Sequence, residues 1–418
     1  MTTSPIAART PRTSTRVFRH VGTAALAAAL LAGATTPATA APAAPATAAA
    51  PDTAATPTAA TAETADRPEL QRAAQAVIDA GFGGLQLRVR DERGEWTGSA
   101  GVRKLGSPAP PPTDGRFWVG SSTKTVTATV VLQLVAEGRV GLDAPVADHL
   151  PELALDRRIT PRMLLQHTSG LFAYTGEVYD DGTVVPGIPA TGKAWVDNRF
   201  HRYEPAELVR FALARPARFE PGTGQNYSNT NYTLAQLLIE RVTGRSFADE
   251  VERRILRPLG MRGTGVPGHR STLPGPHAHG YYRYQDGGEW KVADVSRQNL
   301  SLLSGAGDMY STTRDLQTFF SALMAGRLVP APLPAEMRTP HGYLGYGLGL
   351  FVQELPCGGT VYHHNGGAPG GYGSLMYSSP DGRTTMTAGV TTGDAPIDPA
   401  AAFPKALAGL VETVFCGR

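Results

Sequence analysis

Ser121, Ser122, Thr123 and Lys124 stand between Phe117-Trp118-Val119-Gly120 and an apolar helical pattern. A serine and a lysine three apart on one helix share a face, so the amine can reach the hydroxyl. A lysine so placed can take the serine proton and turn a poor nucleophile into a good one. The chain has only five lysines among 39 basic residues, so arginine is what its composition would ordinarily supply at position 124. Arginine stays protonated and cannot act as a base. Lys124 therefore asks for a chemical reason. Alone, Ser-x-x-Lys recurs by chance, and a serine at a helix start also serves as an N-cap.

Two further groups could complete such a site. Tyr227-Ser228-Asn229 follows the Pro221-Gly222-Thr223-Gly224 turn and precedes a helical pattern. A tyrosine there can pass protons to a leaving group, and an asparagine can hold an amine and a substrate amide at once. A packed aromatic before a capped helix would read the same way, because turns favour Asn and Ser. His363-His364-Asn365-Gly366-Gly367 leaves a strand pattern into Ala368-Pro369-Gly370-Gly371. Glycines let a backbone pass close to a ligand, and one such N–H paired with that of a serine at a helix start makes an oxyanion hole. A plain strand-end turn is the alternative.

In this order, Ser121-x-x-Lys124, Tyr227-x-Asn229 and His364-x-Gly366 match the three signature elements of the penicillin-recognising serine hydrolases. The chain resembles that superfamily of serine β-lactamases and penicillin-binding proteins in its class C-like branch. It is most similar there to secreted actinomycete-type D-Ala-D-Ala carboxypeptidases. Residues 164–171, 228–232, 319–324, 345–350 and 415–417 extend the likeness, as does the spacing of Cys357 and Cys416, and it runs from Arg67 to the end. The resemblance implies a β-lactamase/transpeptidase-like α/β (α+β) fold, with an antiparallel sheet flanked by helices and a mostly helical subdomain. It implies D-alanyl-D-alanine carboxypeptidase-like cleavage of cell-wall peptides through a Ser121 acyl-enzyme, with β-lactams as acylating ligands. Lys124 would be the base, and Tyr227 the proton relay. His364 would support Tyr227 and the substrate through charge and hydrogen bonds. The N–H groups of Ser121 and Gly367 would hold the oxyanion, with Asn229, Gly366 and Phe351 on the substrate side. No cofactor or metal is implied.

Two departures bear on substrate. The carboxypeptidases most similar to this chain would carry an arginine at Phe351 and a threonine at Gly367, to bind the free carboxylate of D-Ala-D-Ala. Losing a charge-assisted hydrogen bond costs about 1.5–3 kcal/mol. The same machinery would then suit an esterase, a D-stereospecific amidase or peptidase, or a β-lactamase-like hydrolase. A penicillin-binding receptor without turnover is the reading outside enzymology. No Gly-x-Ser-x-Gly elbow occurs. His269, His277 and His279 lack the acidic partner and spacing of a zinc site.

These groups need a scaffold, and its elements are partly legible. Residues 84–90 alternate apolar and polar, as in a half-buried strand, with 96–102 as the hairpin partner. A helix from Ser121 should bury Val126, Val130, Val131, Leu134 and Val135 and end at Gly138. Residues 143–150, 160–166, 205–213, 230–242, 316–324 and 401–415 read as helical. Residues 342–352, 374–378 and 384–391 read as strands, and 176–191 as irregular. Strands at both ends around a helical middle predict one antiparallel sheet with a helical insert.

The N-terminus carries Arg9, Arg12, Arg16 and Arg19 before an apolar stretch at 21–34, then Ala38-Thr39-Ala40. That is the pattern of a signal peptide over residues 1–40. Residues 41–66 are an Ala/Pro/Thr-rich linker that cannot bury a core. The hydrolase domain then spans 67–418. The full chain has a formal charge of +3, and removing four arginines and no acid leaves about −1. That balance, with no basic cluster among aromatics, argues against nucleic-acid binding. A secreted monomer without a membrane span is expected, in which Cys357 and Cys416, the only cysteines, form a disulfide.

Overall fold

The computed structural model describes residues 66–417. The expected signal peptide and nearly all of the linker lie outside the described residues. The chain begins with α1 (Pro68–Asp79) and the hairpin β1 (Phe82–Asp91) and β2 (Gly94–Gly101). It returns to the same sheet only at β3 (Phe351–Glu354) and β4 (Thr360–His363), then β5 (Gly366–Gly367), β6 (Tyr372–Ser378) and β7 (Thr385–Thr392). These make a seven-stranded sheet in the order β2-β1-β7-β6-β4-β3, with β5 paired to β6. Every pairing is antiparallel, and β1 joins β7 with Leu85 opposite Val390 and Leu87 opposite Ala388. Residues 102–350 form the insert, which contains α2 (Thr123–Ala136), α3 (Asn229–Thr243) and α4 (Thr313–Met324). The chain closes with α5 (Pro399–Phe415).

One face of the sheet packs on α1 and α5 through Leu70, Ala74, Leu85, Leu87, Val89, Leu375, Leu407 and Leu410. The disulfide Cys357–Cys416 ties the β3–β4 turn to the end of α5, with Cα atoms 5.8 Å apart. The other face meets the insert, where Met376 of β6 joins a core that includes Trp118, Val130, Leu132, Phe319 and Phe320. Both faces of β1 are therefore buried, not one as the alternation predicts. On the insert side Gln86 donates to Gly115 O, while Arg88 pairs with Glu95 and Asp114. These pairings let polar side chains occupy a covered face.

Three other elements differ from expectation. Helix α2 is buried on nearly all sides, not along one stripe. Its threonines are satisfied: Thr125 Oγ1 donates to Gly349 O and Thr127 Oγ1 to Gly305 O, each at 2.7 Å. The strand expected over 342–352 begins only at Phe351, because Gly342, Gly345 and Gly349 hold φ of +61°, +61° and +90°. Such angles break a ladder into turns. The region 176–191 holds a short hairpin, Gly176–Val178 with Val184–Pro186, and Tyr281–Asp286 pairs with Glu289–Asp294. Among the described residues no helix is long and apolar enough to cross a membrane.

Candidate active site

Ser121 sits in a single 3-10 turn, Gly120–Ser122, that leads directly into α2. Gly120 adopts φ +51° and lies against β5, so close that a Cβ on it would stand 2.5 Å from the carbonyl carbon and oxygen of Gly367. The turn is braced from the sheet as well. Ser122 Oγ donates to His364 O (3.0 Å), and Ser374 Oγ donates to Val119 O (2.6 Å). The N-terminus of α2 has no side-chain cap, so Ser121 is not serving as one. Its hydroxyl instead faces Lys124 Nζ at 3.1 Å.

Lys124 is fully buried, and its amine also bonds Asn229 Oδ1 (2.7 Å) and Ala306 O (2.8 Å). Burial holds its pKa well below the usual lysine range, and the nearby Asp308 carboxylate partly opposes the shift. Asp308 is itself pushed up to about 7 by burial, against hydrogen bonds that include Gly305 N–H. An amine in this setting can be neutral near physiological pH, which a base requires. Asn229 is the first residue of α3, so the helix start delivers its side chain to the lysine.

Tyr227 lies over the same amine, with Lys124 Nζ 4.8 Å from its ring centre. Its hydroxyl is buried with no hydrogen-bond partner among the described residues. Burial raises the phenol pKa, and Ser121 is close enough to oppose that rise without forming a regular hydrogen bond. Ser121, Lys124, Tyr227 and Asn229 thus converge on one point.

Gly366 and Gly367 form β5 beside the nucleophile turn. A Cβ on Gly366 would meet Val119 O at 1.9 Å and Ser121 N at 2.8 Å, so only glycine fits. Ala368 N–H donates to Tyr372 O, and Gly367 is paired opposite Gly373. Hydrogen-bonded and non-bonded pairs alternate along an antiparallel ladder, which turns the Gly367 N–H away from β6. A Cβ on Gly120 would stand 2.7 Å from the Gly367 nitrogen, which places that nitrogen beside the nucleophile turn. The two expected oxyanion donors therefore come from adjacent backbones.

His364 occupies a different position from the expected one. Its Nδ1 donates to Asn365 O (2.7 Å), which leaves Nε2 to accept from Tyr346 O–H (2.9 Å). Burial, then the Lys124 charge, keeps it well below the usual histidine range, so it is neutral. It makes no hydrogen bond to Tyr227 and has no charge to offer a substrate. Phe351 is buried as well, its ring 4.5 Å from Tyr346 and stacked on His363 at 5.2 Å. No metal-binding cluster of His, Cys, Asp and Glu occurs among the described residues.

The known beta-lactamase family model matches residues 70–409, which include every one of these groups. The chain belongs to the beta-lactamase family. A D-stereospecific amidohydrolase from Streptomyces sp. superposes with a TM-score of 0.73 at 38% identity, covering 84% of this chain and 99% of that one. The D-amino acid amidase of Ochrobactrum anthropi SV3, solved with L-phenylalanine amide, gives 0.71 at 25% identity over the same shares. A D-aminopeptidase of Cereibacter sphaeroides is 27% identical over 330 residues, or 77% of this chain and 60% of that protein. This chain is thus a beta-lactamase-family serine hydrolase, with the mixed α/β architecture of those neighbours.

Two residues that sequence reasoning did not single out belong to the beta-lactamase-family site. Tyr346 stands between His364, to which it donates, and Tyr232, whose hydroxyl lies 3.3 Å away and donates to Leu165 O. His167 packs 4.2 Å from the Tyr227 ring. Tyr346 lies in a run noted only for its family likeness. The His167-Thr168-Ser169-Gly170 segment carried a signal, a histidine beside small turn formers, but its target is 60 residues away.

Proposed function

We propose that this protein is an exported hydrolase of D-amino-acid amides and short peptides that lack a carboxylate next to the scissile bond. Ser121 Oγ attacks the substrate carbonyl as its proton passes to neutral Lys124 Nζ. The N–H groups of Ser121 and Gly367 hold the oxyanion, where donors placed in advance stabilise developing charge. The C–N bond breaks as Tyr227 gives its proton to the leaving nitrogen and takes one from Lys124. Water then hydrolyses the Ser121 ester by the reverse proton route. Asn229, its Oδ1 held by Lys124, is left with its amide N–H groups for a polar group of the substrate outside the oxyanion hole.

The observation that carries the substrate reading is Phe351. Where a carboxypeptidase would present arginine, an apolar ring is packed into Tyr346 and His363. A free carboxylate placed there would be desolvated without a cation. D-stereospecificity rests on the neighbours described as D-amino-acid amidases and amidohydrolases. Action outside the cytoplasm rests on the N-terminal pattern of residues 1–40 and on the disulfide, which reducing compartments do not maintain. The test is hydrolysis of D- and L-phenylalanine amide, followed by intact-protein mass. The D-enantiomer should turn over faster, with a Ser121 adduct trapped by a labelled penicillin. L-preference, or no adduct, would contradict the reading.

A further inference from the structure

His167 is a residue in an unusual backbone state for which the proposed chemistry has no role. Its φ is +65°, and Ala154 is the only other non-glycine at positive φ among the described residues. That region costs a non-glycine residue about 1–2 kcal/mol and persists only where surroundings over-determine it. Here the surroundings are the loop that carries Tyr227. His167 O accepts the N–H of Asn226 at 2.9 Å, and His167 Nδ1 accepts the N–H of Ser228 at 3.2 Å. One side chain and its own carbonyl thus hold the backbone on both sides of Tyr227. The ring packs on the tyrosine between them at 4.2 Å. It is in this left-handed conformation that both groups meet the same loop.

The protonation state is set by geometry as well. Asn231 Oδ1 accepts from Ser169 Oγ (2.6 Å), so its Nδ2 end faces His167 Nδ1 at 3.2 Å. Two donors on Nδ1 leave no room for a proton there, and the hydrogen must sit on Nε2. Nε2 is buried with no hydrogen-bond partner among the described residues, enclosed by Tyr227, Tyr232 and Tyr346. Burial above all, then the neighbouring Lys124, holds the ring well below the usual histidine range. His167 is therefore a neutral, rigid wedge. We propose that His167 is the positioning residue for Tyr227, setting the phenol where it can protonate a leaving nitrogen. This rests on the relay role given to Tyr227 above.

The role predicts a selective loss. An anilide needs its nitrogen protonated as it leaves, whereas a nitrophenolate leaves without a proton. The comparison is D-phenylalanine 4-nitroanilide against the 4-nitrophenyl ester, with wild type, His167→Ala and His167→Asn. Asparagine tolerates the left-handed backbone and can place Oδ1 where Nδ1 stood. His167→Ala should lower kcat on the anilide roughly 10²-fold, with KM nearly unchanged, the scale of a misplaced catalytic group. The ester should lose no more than a few-fold, and His167→Asn should recover most of the anilide rate. A parallel fall on both substrates, an unchanged anilide rate, or no recovery by asparagine would overturn the proposal. Should His167→Ala fail to fold, His167→Gly removes the ring without backbone strain and carries the same comparison. Wild type failing to cleave the anilide would contradict the proposed function instead. His167 would then be read from Ser121 acylation by benzylpenicillin, whose leaving group is also an amide nitrogen.

Discussion

Lys124 is the residue on which the proposed chemistry turns, because burial gives it a property that arginine cannot have. Lys124→Arg keeps a cation of similar reach but removes the base, and should lower amide kcat by roughly 10²–10⁴-fold across the whole pH range. Loss only at low pH would show that another group takes the proton. The wild-type kcat/KM should instead rise with pH as the ammonium releases its proton, since the neutral amine is the active form. Asp308 opposes the burial that depresses Lys124. Above its own pKa of about 7, where Asp308 is ionised, its replacement by asparagine removes a negative charge, so the Lys124 pKa should fall further. The acidic limb of the profile should then move to lower pH. A limb that stays put, or moves up, would mean that Asp308 does not act on Lys124.

Elements carry the next level of precision. The 3-10 turn at Gly120–Ser122 and strand β5 touch backbone to backbone, and this contact sets the proposed oxyanion donors side by side. Gly120→Ala puts a Cβ 2.5 Å from Gly367 C and O at a left-handed φ, so β5 must shift. We expect kcat to fall roughly 10²-fold or more while Ser121 remains in place, the scale of losing an oxyanion donor. A variant of wild-type activity would refute the oxyanion assignment. Much of this level was legible in the chain. Ser121 and Lys124, Tyr227 and Asn229, and the glycines of β5 are close in sequence, and local spacing sets their geometry. The helices expected at 205–213 and 230–242 and the strands expected at 374–378 and 384–391 lie where the structure has them. What local pattern could not carry is partnership over distance. The threonines of α2 fall outside the stripe expected to be buried, yet Thr125 and Thr127 are buried against the carbonyls of Gly349 and Gly305. The Gly287-Gly288 pair, at φ of +60° and +89°, is a local turn signal for the 281–294 hairpin. His364 looked like a charged partner of Tyr227, and only the fold reveals that Tyr346 takes its Nε2. His167 acts through a backbone conformation that residue type alone does not disclose.

Over the whole molecule, the two ends of the chain build one sheet, and the 102–350 insert brings the catalytic side chains to its face. The disulfide belongs to the opposite layer, with α1 and α5, away from Ser121. It closes a loop with a sequence separation of 59, for which the chain-entropy relation gives about 4 kcal/mol. A Cys357→Ser/Cys416→Ser double variant should lose about that much stability in urea unfolding while keeping its kcat at temperatures where it is folded. A large fall in kcat of the folded variant would mean that the two layers are coupled.

The proposed substrate preference turns on Phe351, a buried ring where a carboxypeptidase would carry arginine. The decisive measurement is kcat/KM for an acyl-D-Ala-D-Ala peptide as the free acid beside the same peptide as its C-terminal amide. A site with Phe351 buried against Tyr346 and His363 should cleave the amide at least as well as the acid. A preference for the free acid of tenfold or more, about 1.4 kcal/mol of discrimination, would contradict it. That result would place a carboxylate-binding cation in a site where the structure has an aromatic ring.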